Sequence, residues 1–221
     1  MKYPAICDEN FYPNPLEITH WAMDLHMEPC PQGNWPGVRS LSTDSLDEQF
    51  HHWFCNRVFS YFYDLEKVQV EADVKSYFQI IQPYSETSEY KNRGWIHTDG
   101  GPLGGKDGCQ YAGIIYLSPD PDPSAGTSIY RQSSESLHLD ISEKNRLYLG
   151  EDISDEEYDN AMKRHLSQFT EVTRYYNVYN RLIGFDSTQY HAATGFNPGG
   201  TGPRLTQVFF MSNIKVLDST T

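Results

Sequence analysis

Apolar and polar positions along this chain follow two different rhythms. Leu46, Phe50, Trp53, Phe54, Val58, Tyr61 and Phe62 recur at three- and four-residue spacing, which places them on one face of a helix. Ser45-Leu-Asp-Glu48 just before them fits a capping box, whose hydroxyl and carboxylate satisfy amides left open at a helix start. The pattern predicts a helix over residues 45–63. Upstream, Pro4, Pro13, Pro15, Pro31 and Pro36 break up aromatic and acidic stretches, predicting a wrapping segment with one short helix over Leu16–Met27. From Val68 the rhythm turns extended. VQVEADV, SYFQIIQPY, QYAGIIYLS, TSIYR, NVYNRLIGF and RLTQVFFMSNIKV are rich in β-branched and aromatic residues and predict strands. Between the fourth and fifth of these, residues 132–177 are polar and acidic and predict one more helix. Ser154-Asp-Glu-Glu157 would cap it, and Tyr158, Met162, Leu166, Phe169, Val172 and Tyr176 would form its stripe.

Short strands separated by turns, with helices set apart from them, predict a mainly β fold. The expected form is an antiparallel double sheet or barrel, a jelly roll with supporting helices. Residues 1–221 read as a single domain. Within it, 1–66 form an N-terminal wrapping segment and support helix, and 67–215 a jelly-roll core carrying the helical insertion 132–177.

Composition narrows the partners. Seventeen Lys+Arg against thirty Asp+Glu give a formal charge of −13, a field that repels phosphate backbones and anionic lipid. The expected protein therefore binds no nucleic acid and no membrane; its oligomeric state is not written in the pattern. Sixteen Tyr and eleven Phe suit a β-rich core and argue against a disordered acidic chain. No apolar run approaches the ~20 residues of a membrane span. The first residues, MKYPAICDENFYPNP, lack the apolar centre of a secretory signal. The expectation is a soluble cytoplasmic protein in which Cys7, Cys30, Cys55 and Cys109 are free thiols.

Candidate chemistry centres on Trp95-Ile96-His97-Thr98-Asp99. In an extended segment alternate side chains share a face, so His97 and Asp99 project together and Thr98 points away. An imidazole beside a carboxylate supplies two thirds of a facial metal site, although such a pair is more commonly an ordinary surface pair. His191, between a strand-and-turn and the loop NPGGTGP, is the best candidate for a third ligand. Arg204 opens an otherwise apolar strand and shares a face with Thr206. If its head turns inward it needs an anionic partner, and a carboxylate gripped through two hydrogen bonds would serve. A strand-end arginine paired with one of the thirty acids fits equally well.

Other readings are weaker. His51/Cys55 and His26/Cys30 are each four apart, but no C-x-x-C accompanies them as a structural zinc site would require. His20, His52, His138 and His165 have no arguable partner. GPLGGKDG (101–108) lacks phosphate-loop spacing and reads as a lid beside the metal. Arg131 could meet an anionic substrate group or pair with Glu135. No G-x-S-x-G or H-E-x-x-H is present, so serine-hydrolase and zincin chemistry are not expected.

Taken in order, H-x-D, the strand GIIYLSP, GTSIYR, a distal His and Arg-x-Thr resemble the Fe(II)- and 2-oxoglutarate-dependent dioxygenases. The likeness is to the prolyl-4-hydroxylase-like branch with its phage and bacterial relatives, and covers roughly residues 78–213. Tyr116-Leu117-Ser118 stands where that branch has a YLN-type strand, and Ala125-Gly126-Thr127 where it has a GGxT-type turn. The resemblance implies a double-stranded β-helix, cupin-like, with iron held by His97, Asp99 and His191. It also implies 2-oxoglutarate on Arg204, with Thr206 and Tyr116 as helpers, and O2 as the second cosubstrate. The implied reaction hydroxylates a C–H of a small molecule or peptidyl residue and releases succinate and CO2, with ascorbate as the reductant in vitro. Halogenating relatives carry a small residue at the Asp99 position, so the Asp implies hydroxylation. The reading from another class is a catalytically silent cupin-like protein that binds a metal or ligand.

Overall fold

The computed structural model describes residues 3–84, 88, 90–100, 108–133, 141–150, 153–196 and 199–218. Two antiparallel sheets form its centre. The larger is built from β1 (Ile6–Asp8), β2 (Glu28–Pro29), β3 (Val38–Arg39), β4 (Val68–Ile81), β5 (Cys109–Tyr116), β8 (Leu182–Asp186) and β10 (Arg204–Asp218). Its order is β1-β8-β5-β10-β4-β3-β2. The smaller runs β7-β6-β9, from β6 (Thr127–Gln132), β7 (Phe169–Tyr175) and β9 (Tyr190–Ala193).

Strand alternation gives the large sheet two apolar faces. On the outer face Phe209 meets Phe54 of the helix α3 (Glu48–Phe59), with ring centroids 5.4 Å apart. Phe78 meets Trp21 of α1 (Pro15–Asp24) at 5.2 Å. Tyr12, buried on the same side, donates its hydroxyl hydrogen to Gln207. The inner face carries Ala112, Tyr116, Ile183 and Phe185, which pack with Ile129 of the small sheet. Side chains enclosed by both sheets lie in this inner layer.

Several sequence expectations need correction. The helix over 45–63 is two helices, α2 (Thr43–Leu46) and α3, broken at Asp47, whose backbone is extended. Asp47, not Ser45, caps α3: its carboxylate accepts from the Phe50 amide at 2.9 Å. VQVEADV and SYFQIIQPY form one fourteen-residue strand. Residues 1–66 do more than wrap, because β1 pairs with β8 at one edge of the large sheet and β3 with β4 at the other. Among its described residues the 132–177 region holds two helices, α4 (Ile141–Leu149) and α5 (Asp155–Leu166), and then β7. Ser154 caps α5 as expected, accepting from the Glu157 amide at 3.2 Å. Phe169 and Val172, predicted to continue the helical stripe, lie in a strand instead. Apolar residues three apart do not by themselves reveal where a helix stops. Among the described residues no helix is long and apolar enough to cross a membrane.

Candidate metal centre

The segment after the turn Tyr90–Asn92 runs antiparallel to β9 and extends the small sheet. The Gly94 amide donates to the Ala193 carbonyl at 2.9 Å, and the Asp99 amide to the Ser187 carbonyl at 3.0 Å. Between them His97 and His191 exchange both backbone hydrogen bonds, at 3.0 and 2.9 Å. The sequence suggested a regular strand here; the structure forms a single bridge at His97 and then bends at Asp99. Directly paired residues project to the same side, so the two imidazoles lie together, ring centroids 4.5 Å apart. Asp99, two positions on, joins them. Its Oδ2 is 3.2 Å from His191 Nε2 and its Oδ1 3.5 Å from His97 Nε2. All three potential ligand atoms fall within 4.8 Å of one another.

The backbone sets the imidazole tautomers. His97 Nδ1 lies 2.8 Å from the Trp95 carbonyl and His191 Nδ1 3.0 Å from the Gln189 carbonyl. A carbonyl only accepts, so each Nδ1 carries the hydrogen and each neutral ring turns a lone pair at Nε2 toward Asp99. Two lone pairs facing a carboxylate are unfavourable unless a proton or a metal cation lies among them, and metal-ligating histidines are commonly oriented in this way. In the metal-free state a proton on Nε2 can play that part for His191. Burial pulls Asp99 upward, but the two imidazoles outweigh it and hold the carboxyl far below the usual range. Burial depresses His191, yet Asp99 more than reverses this and its pKa is raised; burial and His191 together lower His97. The donor set fits a divalent cation that prefers imidazole and carboxylate. Asp99 and His191 side chains are 13% and 7% exposed and His97 is 38%, so the cluster has one open side.

Two residues that sequence spacing did not single out hold this segment in place. The Trp95 amide donates to the Tyr148 hydroxyl of α4 at 2.8 Å, and His165 Nε2 of α5 donates to the Ile96 carbonyl at 2.9 Å. The available signal for His165 was its place on the buried stripe with Tyr158 and Met162.

Arg204, Thr206 and Tyr116 come together on the inner face of the large sheet. Thr206 pairs with Tyr116 across β10–β5. The Tyr116 hydroxyl donates to Thr127 at 2.9 Å. The Arg204 guanidinium sits 5.5 Å from the Tyr116 ring centroid and donates through Nε to the Ala125 carbonyl at 3.1 Å. Arg204 is 2% exposed, yet its Nη2 has no partner; Thr206 is 0% exposed and its hydroxyl has none either. No carboxylate of the described residues lies within ion-pair distance of Arg204. A buried cation and hydroxyl left open side by side fit a ligand carboxylate.

The remaining candidates separate. Arg131 is exposed near the end of β6, and its suggested partner Glu135 lies outside the described residues, as do His138 and most of the 101–108 loop. His51 contacts Thr43 at 2.7 Å and Cys55 at 3.5 Å, and His26 forms an exposed pair with Glu28. Among the described residues only His97, Asp99 and His191 gather three metal-ligand groups. All four cysteines are free.

A family model described as "Family of unknown function (DUF6445)" matches residues 2–198. No curated protein matches the chain. Among solved structures, HygX from Streptomyces hygroscopicus with nickel and 2-oxoglutarate bound aligns at TM-score 0.54 and 12% identity, covering 95% of this chain and 83% of that one. The same protein with nickel, 2-oxoglutarate and hygromycin B bound aligns at 0.52 and 11%, covering 95% and 83%. A prolyl hydroxylase from Trichoplax adhaerens, in complex with a hypoxia inducible factor oxygen degradation domain peptide fragment, aligns at 0.55 and 9%, again covering 95% and 83%. At these identities the likeness is one of fold.

Proposed function

The chain belongs to the family of unknown function DUF6445, and we propose that it is an Fe(II)- and 2-oxoglutarate-dependent oxygenase, a hydroxylase, on a double-stranded β-helix core. One observation carries the reading. His97 and His191 are fixed by backbone hydrogen bonds so that both Nε2 atoms meet at the Asp99 carboxylate, an arrangement suited to holding a metal cation. Separately, Arg204 and Thr206 offer buried, unpartnered donors on the inner face. The fold shared with HygX and the Trichoplax prolyl hydroxylase is consistent with this assignment.

His97, Asp99 and His191 would hold the ferrous ion on one face and leave the remaining positions open to ligands. Arg204 would grip the C5 carboxylate of 2-oxoglutarate in two hydrogen bonds, Thr206 adding a third, with Tyr116 packed beneath the guanidinium. With O2, the bound iron and cosubstrate supply oxidative decarboxylation to succinate and CO2 coupled to oxidation of a substrate C–H. The chain's own work is orientation and exclusion of water. Phe185 lies 4.5 Å from the His191 ring, and Ile129 and Ile183 pack beside it, lining the centre with apolar surface. The substrate is a small molecule or a peptidyl residue, and Arg131, exposed on β6, is a candidate contact for it.

The test is calorimetric titration with Ni(II) and then 2-oxoglutarate, followed by succinate measurement with Fe(II) and ascorbate. The reading requires 2-oxoglutarate to bind only the metal-loaded protein and its affinity to depend on Arg204. A protein that takes up no metal, or binds 2-oxoglutarate equally well without one, would refute it.

A further inference from the structure

A polar row crosses the inner face of the large sheet in continuous register. Arg39 of β3 pairs with Gln79 of β4, Gln79 with Thr206 of β10, and Thr206 with Tyr116 of β5. At ~4.8 Å per strand the ends lie roughly 14 Å apart. Arg204 stands over the Tyr116 end, and a second arginine, Arg39, occupies the other. A single guanidinium suffices for the far carboxylate of 2-oxoglutarate, so Arg39 is left for another task.

Arg39 makes its side-chain hydrogen bonds to a neutral group. Nε and Nη2 donate to Gln79 Oε1 at 3.2 and 3.1 Å, while Gln79 Nε2 is tied to the Pro36 carbonyl at 2.7 Å. Its guanidinium stacks on Trp35 at 4.4 Å, and the buried Nε1 of that indole has no partner. No carboxylate of the described residues is within ion-pair distance of it. Lys144 on α4 is in the same position. Its helix neighbours are paired, Glu143 with Arg164 at 2.9 Å and Arg146 with Glu157 at 2.8 Å, whereas Lys144 has neither an ion pair nor a hydrogen bond among the described residues. In a chain of charge −13 two such cations are conspicuous.

The fold brings them to one place. Gly33 has φ +66 and lies so close to the Asn145 carbonyl of α4 that a Cβ would collide with it. Gly37, φ +74, stands in the same relation to the Ile80 carbonyl of β4. These two contacts clamp the Trp35–Arg39 stretch between α4 and the sheet, and Asn145, beside Lys144, also keeps a buried unpartnered Oδ1. Burial lowers the pKa of both cations, that of Arg39 to about 10, and the Asp99 carboxylate is the main influence opposing it in each. Both therefore lie within electrostatic reach of the metal cluster. A metal ion bound at Asp99 would engage that carboxylate and leave both cations without compensation.

Building on the oxygenase reading, we propose that Arg39 and Lys144 form an oxyanion-binding subsite for the primary substrate, across the polar row from Arg204. The substrate is then an acid, bearing a carboxylate or a phosphate, held by a fork of donors from Arg39, Trp35 and Lys144 with its reacting carbon toward His97. The N-terminal segment and the α4 insertion thus acquire a shared task, recognition of substrate charge.

The experiment titrates acetate, inorganic phosphate and, as a neutral control, acetamide into the protein already loaded with Ni(II) and 2-oxoglutarate. Binding is followed by NMR of the Lys methylene and Trp indole signals. At least one anion should bind saturably and acetamide should not; the stronger of acetate and phosphate identifies the substrate's charged group. Arg39→Gln and Lys144→Gln should each weaken that anion at least fivefold, Arg39→Lys should recover part of the loss, and affinity for Ni(II) and 2-oxoglutarate should stay within twofold. Lys144 is only partly buried, so its variant keeps the test valid if Arg39→Gln folds poorly. The subsite is overturned if neither anion binds the loaded protein, if acetamide binds as well, or if Arg39→Gln instead costs 2-oxoglutarate affinity. Failure of the protein to load with Ni(II) or 2-oxoglutarate would count against the oxygenase reading and is seen before any anion is added.

Discussion

The imidazole of His165 lies flat against the indole of Trp95, with ring centroids 3.6 Å and planes 14° apart. Through this stack and the bond from His165 Nε2 to the Ile96 carbonyl, α5 supports the residues that precede His97. The arrangement tolerates only a neutral ring: His165 is 2% exposed and burial lowers its pKa to about 4.

An unfolded chain protonates His165 near pH 6.5, whereas the folded one resists until about 4, so the unfolded state binds more protons in between. Stability attributable to this group is present above pH 6.5 and is lost as pH falls toward 4, by about 3 kcal/mol in all. Melting temperature measured from pH 7 to 4.5 should therefore fall less steeply in His165→Phe than in wild type. Parallel curves would show that the ring titrates freely in the folded protein.

Metal uptake should appear as stability. A ligand bound only by the folded state at a hundredfold excess over Kd contributes about 2.7 kcal/mol, a rise of about 5–10 °C for a domain of this size. Ni(II) should produce this shift in wild type and not in His97→Ala or Asp99→Ala. His97 is the cleaner position because its side chain is 38% exposed, so removing it leaves little void. His191 packs on Phe185, and His191→Ala should cost about 1–2 kcal/mol without metal. An undiminished Ni(II) shift in His97→Ala would disprove the ligand assignment.

Asp47 tests the break between α2 and α3. Its carboxylate satisfies the Phe50 amide at the start of α3, whereas Ser45 lies inside α2. Asp47→Ala should lower stability by about 1 kcal/mol and Ser45→Ala by much less, as read from urea midpoints. Equal losses would restore a single helix capped at Ser45.

These particulars show what the chain made legible. Periodicity located the apolar face of α3 but not the break before it, because one extended residue leaves the spacing of Phe50, Phe54 and Val58 intact. Ser154 marked the start of α5 correctly because a cap is local chemistry. The His-Asp-His cluster was readable for a related reason: His97 and Asp99 are near neighbours, and their pairing asked for a third ligand on a distant strand. Arg39 was not readable. Its importance depends on β3 joining β4 forty residues away, and a two-residue strand carries no alternation to announce it.

Arg204 should show opposite effects on folding and on binding. In the absence of ligand its guanidinium is buried with Nη2 unpartnered beside the open Thr206 hydroxyl, which costs stability. Arg204→Met fills similar volume without a charge, so the ligand-free variant should be more stable than wild type, on the order of 1–2 kcal/mol. The same change removes the partner of the cosubstrate carboxylate. A loss on the order of 2–5 kcal/mol is expected for a buried charged contact, so 2-oxoglutarate affinity should fall well over tenfold while Ni(II) affinity holds. Thr206→Val removes one hydrogen bond, about 0.5–1.5 kcal/mol, and should weaken 2-oxoglutarate roughly three- to tenfold. Thermal melts of the ligand-free proteins and calorimetry of the nickel-loaded ones give both signs. A variant that gains stability and keeps its 2-oxoglutarate affinity would mean the carboxylate is held elsewhere, and Arg39, at the other end of the polar row, would be the next residue to change.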